Sequence, residues 1–460
     1  MPRTGLQRGP GLAIELDSWQ SYEPGDMIIG RVIRTEHLVS PDARLTVKLH
    51  GRAKSKMIVQ HTQGKSVYRG RFTFFGPNDA AYTLFKGLVH IAPQGEPGSW
   101  NFAIAIPMRA SAAALAASGK GDHSFIPLEQ EVVDTKTLPG IFYCKGSNFW
   151  SSTTLFGYVE YYLEAELVWA VNGKQMSCKA TLPLLMRHSS AATPLPEKTP
   201  THRPFSVPLS VRSYRLLPGV QAADLSLGQK TRTAFGSSKV PAHSFAVQVE
   251  CPIIIEIGKL VPFLIRVLPD MEKSSEALRN VPIQYRLASF DLTLKATTTV
   301  ICAGTFTSHD QKSTEDYDFH IKSLFPRLAN PILLPAKPEA ASLNLGHYLQ
   351  ILLDETRASV LGQQTSVGFK TNVYSSFETY NIRHTHVLEW EFGIQVVGLD
   401  DVEYRKGEMQ VTLVTVGEQQ RTLDMKEDEM KKKYENLLEA AGLGLETLNA
   451  TLEIVSALSG

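Results

Sequence analysis

The sequence predicts an all-β chain of two tandem antiparallel β-sandwiches with a short C-terminal helical tail, and three observations predict it. First, the stretch Gly157 to Val171, GYVEYYLEAELVWAV, places Val159, Tyr161, Leu163, Ala165, Leu167, Trp169 and Val171 on one face of an extended strand. Tyr158, Glu160, Tyr162, Glu164 and Glu166 fall on the other. Side chains alternate across a strand, so a two-residue period marks a sheet with one buried and one wet face. Second, the same alternation recurs along most of the chain. Third, a proline-rich stretch from His188 to Pro208, with Pro194, Pro196, Pro200, Pro204 and Pro208, separates two such regions. The expected organisation is a first sandwich over 11–187, a linker over 188–208, a second sandwich over 209–422 and a helical tail over 423–460.

In chain order, Leu12, Ile14 and Leu16 form a short strand. Tyr22-Glu23-Pro24-Gly25-Asp26 reads as a tight turn, because proline presets φ and glycine accepts a positive one. A strand follows through Ile28, Gly30 and Val32. Leu45 to Met57 is the second strong alternation, with Leu45, Val47, Leu49, Gly51 and Ala53 on one face. Residues 66–75, Tyr82 to Phe85 and Trp100 to Ile106 are further strands, the last ending at Pro107. Met108 to Pro139 loses the pattern and reads as an excursion with a turn of helix. Asn172-Gly173 is a hairpin signal between Gly157–Val171 and a strand over Gln175 to Leu185.

In the second region the strands are Phe245 to Val249, Ile253 to Ile257, Val261 to Val267 and a long one from Phe290 to Cys302. Residues 308–345 break the pattern. Leu349 to Leu353, Leu388 to Val396 and Gln410 to Val416 resume it. Asp424 to Ser459 is different in kind: Glu427 with Lys431 and Glu429 with Lys433 are favourable i,i+4 pairs of a helix.

At 460 residues the chain is too long for one ordinary core. A net charge of +1 gives no global pull toward nucleic acid, so no nucleic-acid partner is expected and any electrostatic partner is local. Four widely spaced cysteines, Cys144, Cys178, Cys251 and Cys302, have no metal-ligand spacing. With no apolar leader and no run of roughly 20 apolar residues, the expected setting is cytoplasmic with reduced thiols.

The sharpest candidate site is a cationic strand face: Lys48, Arg52, Lys54 and Lys56, joined by Arg69 and Arg71 where the next strand pairs alongside. Cations so grouped hold phosphorylated peptides or anionic lipid headgroups through charge-assisted hydrogen bonds. The alternative is a solvated outer face, or lysines guarding a sheet edge. His384-Thr385-His386 puts two imidazoles on one face, but a metal needs a third ligand and none is evident. Asp400-Asp401 reads as a turn. Gly442-Leu443-Gly444-Leu445 is no phosphate loop, since it follows no strand. With no nucleophile elbow or convergent acid pair, no catalytic residue, metal or cofactor is expected.

These residues carry a family resemblance. Tyr22-Glu23-Pro24-Gly25-Asp26 with Ile28, Gly30 and Val32 resembles the opening of arrestin-like domains. Leu45 to Gly51, Thr83-Leu84-Phe85, Trp100 to Pro107 and Gly157 to Leu167 are similar to the signposts that follow it. Phe377-Glu378-Thr379, Asn381-Ile382 and the strand from Val387 resemble the close of the C-terminal arrestin domain. The likeness spans 11–416 and is to the divergent, fungal-type arrestin-domain proteins. It implies two immunoglobulin-like sandwiches and a non-catalytic adaptor, peripheral at the plasma or endosomal membrane, for endocytosis and transport of membrane-protein cargo with phosphorylated tails. It also implies recruitment of a ubiquitin ligase, although no PPxY or LPxY motif is present. A retromer-type sorting subunit and a β-sandwich enzyme or carbohydrate-binding module are the alternatives.

Overall fold

The two strongest alternations in the sequence are partners. The strand Leu38–His61 runs antiparallel to the strand Thr153–Val171, in register from Ala43↔Trp169 to Val59↔Thr153. Leu45 faces Leu167, Val47 faces Ala165 and Leu49 faces Leu163, all six fully buried. Each of these leucines and Val47 contributes roughly 1.5–3 kcal/mol by leaving water, and Ala165 less. A slip of one residue would turn them all outward, so the apolar pattern sets the register.

The computed structural model describes residues 6–187 and 202–415, apart from 8, 18–20, 149–151, 172, 236, 305–306, 338–339, 365–368 and 370. Among them the fold is all-β with few helical turns. The first half comprises β1 (Leu12–Leu16), β2 (Met27–Arg34), β3 (Leu38–His61), β4 (Gly64–Thr73), β5 (Ala81–Ile91), β6 (Gly98–Ala105), α1 (Ala112–Ser118), α2 (Gln130–Val133), β7 (Phe142–Asn148), β8 (Thr153–Val171) and β9 (Lys174–Leu184). The second half begins with β10 (His202–Arg212), α3 (Leu227–Ala234), β11 (Ala242–Pro252), β12 (Ile254–Ile257), β13 (Leu264–Asp270), β14 (Tyr285–Ala303), β15 (Ser308–Asp318) and β16 (Ile332–Leu334). It continues with β17 (Leu343–Asn344), α4 (Leu345–Tyr348), β18 (Leu352–Leu353), β19 (Ala358–Val360), β20 (Gln363–Gln364), β21 (Phe377–Glu378), β22 (Ile382–Val396) and β23 (Val402–Thr415).

Two apolar cores result, each sandwich-like. In the first, Ile28, Val32 and Ile104 of the small sheet β1-β2-β6 pack with Leu45, Val47 and Leu163 of the large sheet. In the second, Val247 and Ile265 of the sheet β10-β11-β13-β17, with Phe263 just ahead of β13, pack with Phe290, Leu292 and Trp390. Phe263 lies 4.9 Å from Phe290 and 5.7 Å from Trp390, centroid to centroid. The large sheet runs through both halves in the order β12-β23-β22-β14-β4-β3-β8-β7. It crosses between them where Ala303 of β14 pairs with Arg69 of β4.

Beside that crossing sits a buried polar node. Ser55 Oγ donates to the Ile301 carbonyl at 2.5 Å and accepts from Asn381 Nδ2 at 3.1 Å. Cys302 Sγ reaches the same hydroxyl at 3.3 Å. Asn381 Nδ2 also reaches the Ala53 carbonyl at 3.4 Å, and the Ile301 amide donates to the Asn381 carbonyl at 3.0 Å. Gly70 leaves the node its room: a Cβ there would stand 2.5 Å from Ser55 Oγ. Val300, Cys302, Tyr380 and Ile382 of the second half complete the first core.

Local chemistry follows the sequence at several points. Gly25 takes φ +96° in a turn closed by the Asp26 amide on the Glu23 carbonyl at 3.1 Å. Val171 pairs with Lys174, and Gly173 between them takes φ +76°. Within the Met108–Pro139 excursion, Ser111 caps α1 by accepting from the Ala114 amide, and Leu115, Val133 and Leu138 are buried.

Elsewhere the structure differs from expectation. The linker is shorter than 188–208, because β10 begins at His202 and pairs with β11 from His202↔Pro252 to Arg212↔Ala242. Its Pro204 and Pro208 are tolerated because β10 is an edge strand, where one side needs no donors. Residues 308–318, patternless in sequence, form β15 along β14. That strand is exposed on one face and only half-buried on the other, Tyr317 and the following Phe319 aside, and its half-buried side chains are polar, so hairpin pairing rather than apolar burial makes it a strand. β7 also escapes the alternation. Leu349, Ile351 and Leu353 are buried as expected, but in a helical turn and the short β18. Residues 188–201 and the tail helix expected over 423–460 lie outside the described residues.

The node makes a stability prediction. Asn381→Leu leaves buried polar groups unpaired and is expected to cost about 1–3 kcal/mol, measured by urea unfolding. Ser55→Ala is expected to lose stability too, and the double variant less than the two losses combined, since both residues serve one network. Full additivity would show that they act independently.

Candidate functional site

Along β3 from Leu45 to Met57 the odd positions enter the core and the even ones face outward, half-buried. Lys48, Arg52, Lys54 and Lys56 therefore share the wet face. The β3–β4 register places Arg71 opposite Lys54 and Arg69 opposite Lys56. Both arginines are exposed, and they stand where the sheet crosses between the halves.

The other neighbour of β3 is β8, whose acidic and aromatic row lies on the same face. Lys48 opposes Glu164, Arg52 opposes Glu160, Lys54 opposes Tyr158 and Lys56 opposes Phe156. Arg52 Nε lies 2.5 Å from Glu160 Oε1, and Lys54 Nζ is 4.0 Å from the same oxygen. Glu164 and Glu166 are held by Lys179 of β9, at 3.0 and 3.4 Å. The cationic row of β3 and the acidic, aromatic row of β8 are thus one mixed face. Glu164 and Glu166 are engaged toward β9, Glu160 toward β3, and the cations gather toward β4.

Aromatic rings form the floor under those cations. Arg52 lies 5.1 Å over Tyr162, Lys54 5.6 Å over Tyr158 and Lys56 5.8 Å over Phe156. Lys145 of β7 stands 5.9 Å over Phe156 as well, so two ammonium groups share one ring. Lys145 was missed in sequence because β7 was; a register for β7 against β8 would have brought it to the face.

Crowding shifts the acidities. Burial, with the charges of Arg52 and Arg71 acting against that of Glu160, lowers Lys54 to about 8. Burial also lowers Lys48, opposed by Glu164 and Asp79. His50, stacked on Tyr162 at 4.7 Å, is depressed to about 4, mainly by burial, and is neutral on this face at pH 7.

The other candidates resolve into structure. His384 and His386 are buried at the joint, their ring centroids 4.6 Å apart. Nδ1 of His384 bonds Thr298 Oγ1 at 2.9 Å, and Nδ1 of His386 bonds Ser376 Oγ at 2.8 Å. Phe142 of the first half packs 4.9 Å from His384. Among the described residues no group of three or more His, Cys, Asp or Glu is placed to hold a metal ion. Asp400 sits beside a turn and pairs with Arg215 at 2.5 Å. Burial raises the thiols of Cys144 and Cys251 to about 12 and that of Cys302 to about 11, leaving them protonated at neutral pH. A cleft opens at the joint between Ile141, Met186 and Arg187 on one side and Glu355, Tyr374 and Phe377 on the other. Its walls are too far apart in the chain to have been joined by sequence pattern.

Compared with known proteins, the chain matches no family model. No curated protein matches it either.

The buried imidazoles predict acid sensitivity. His384 is depressed to about 3 by burial, and His386 falls well below its ordinary value, by burial and by the neighbouring His384. The unfolded chain takes up these protons below about pH 6.5, whereas in the fold His384 resists until about pH 3 and His386 stays neutral well below its ordinary range. Their neutral forms therefore stabilise the fold fully above pH 6.5, and that stability drains as pH falls, by up to about 1.4 kcal/mol per imidazole per pH unit. Urea unfolding at pH 7 and pH 5 is expected to show the loss, and His384→Gln to show a shallower one.

Proposed function

We propose that the chain is a non-catalytic adaptor of arrestin-like plan, two immunoglobulin-like sandwiches in tandem, that holds a phosphorylated segment of a membrane-protein cargo on its cationic face. The observation that carries this reading is the grouping of Lys54 and Lys56 of β3 with Arg69 and Arg71 of the adjacent β4, beside the crossing between the halves, with Lys145 of β7 across the Phe156 ring of β8. Among the described residues no carboxylate pairs with Lys56, Arg69 or Arg71, so their charge is available to a ligand. Arginine presents a planar fork that matches phosphate oxygens, and lysine a mobile point charge. Lys54, lowered first by burial and then by the charges of Arg52 and Arg71 against that of Glu160, fits the same reading, because a bound phosphate would offset that part of the depression which the two arginines cause. No helix among the described residues is long and apolar enough to cross a membrane. Ligase recruitment, in the absence of a PPxY or LPxY motif, would run through another contact.

The test is fluorescence anisotropy with a doubly phosphorylated serine peptide and its unphosphorylated form. The phosphorylated peptide is expected to bind about tenfold or more tightly, with affinity falling as salt rises. Lys56→Gln with Arg71→Gln is expected to abolish the preference; both are surface changes that leave the cores intact. Because Lys54 loses its proton near pH 8, affinity is expected to weaken between pH 7 and pH 9 and to weaken less in Lys54→Gln. Equal binding of the two peptides, or a preference untouched by the double variant, would overturn the reading.

A further inference from the structure

The connection from β10 to β11 carries α3, and this helix is amphipathic the wrong way round for a soluble fold. Leu227 is 83% exposed and Phe235, its C-cap, is 84% exposed. Gln229 and Thr233, both polar, are half-buried. At 3.6 residues per turn, Leu227 and Phe235 lie about 80° apart and form one outward strip. Lys230 and Arg232 stand about 100° to either side of its centre, both exposed. From Leu225 to Lys239 the chain has three cations, Lys230, Arg232 and Lys239, and no carboxylate. None of the three pairs with a carboxylate among the described residues.

The first turn of the helix is fixed by its own cap, and the connection is anchored at both ends. Ser226 and Gln229 make a reciprocal capping box, with the Gln229 amide on Ser226 Oγ at 3.3 Å and the Ser226 amide on Gln229 Oε1 at 2.9 Å. Leu216 and Val240 are buried at the two ends of the connection. Arg215 ties it to Asp400 at 2.5 Å, beside the turn that presents Val397, 50% exposed.

We propose that α3 is a membrane-surface contact, which lays Leu227 and Phe235 into the acyl boundary of an anionic bilayer while Lys230, Arg232 and Lys239 meet the headgroups. Charge complementarity and spacing select this occupant. An interfacial helix needs an apolar strip with cations along its flanks. A helix that docks in a protein groove needs apolar anchors at i, i+3, i+4 and i+7. Here Lys230 and Thr231 occupy the third and fourth positions after Leu227, so a groove would bury a charge. This contact is separate from the cationic face of β3 and β4 and does not rest on it.

The test is flotation of the full chain with phosphatidylcholine vesicles, with and without phosphatidylserine. Binding is expected only with phosphatidylserine and is expected to weaken with salt. Leu227→Ser with Phe235→Ser is expected to reduce it by about tenfold or more, since insertion scales with apolar area. Lys230→Gln with Arg232→Gln is expected to remove the phosphatidylserine preference. Both pairs alter exposed positions, and an unchanged urea midpoint would establish that the fold is intact. Absence of vesicle binding by the native chain overturns the proposal. So does binding that these variants leave alone but Lys56→Gln with Arg71→Gln abolishes, which would assign the lipid contact to the sheet. Self-association that the Leu227 and Phe235 changes abolish, without vesicle binding, would assign the strip to a second copy.

Discussion

The register of β3 against β8 is the constraint on which the rest of the molecule depends. One alternation carries three jobs at once. Its odd positions bury Leu45, Val47, Leu49 and Ala53 in the first core, and one of them, Ser55, becomes the polar node at the joint. Its even positions put Lys48, Arg52, Lys54 and Lys56 on the wet face beside β8. A shift that spoiled the core would also carry lysines inward and dissolve the contact between the halves. Core, joint and surface charge are therefore specified together, and none can drift without the others.

Carboxylates do less than rings in organising the charged face. Glu160 binds Arg52 closely but meets Lys54 only at the limit of an ion pair. Tyr158, Tyr162 and Phe156 lie under the cations instead. An aromatic floor steadies a cation through its quadrupole without cancelling the charge. That is how the face can be half-buried and still present positive charge outward.

Legibility in the sequence follows burial. β3, β8, β11, β14 and β22 announce themselves because one face enters a core and the other meets water. β15 does not, because SHDQKSTEDYD has almost nothing to bury, and its strand character comes from β14. β10 reads as a linker because its prolines are allowed only by its place at an edge, which the local sequence does not contain. Six cations of the face are legible from strand period alone; Lys145 is not, since its strand is short and irregular. Least legible is the joint. Ser55 and Asn381 meet across 326 residues, and neither is unusual in its own neighbourhood.

The prolines of β10 have a consequence for the life of the protein in a crowded solution. The outer edge of the four-stranded sheet is a row of backbone groups that another extended chain can template upon. Pro204 and Pro208 delete donors from that row, and Arg203 and Arg212 add charge to it. An edge so interrupted gives a passing strand no continuous ladder to complete. The price of an open sheet, the hazard of growing strand by strand into aggregates, is thereby held down without a covering helix, by residues that look in the sequence like the absence of structure.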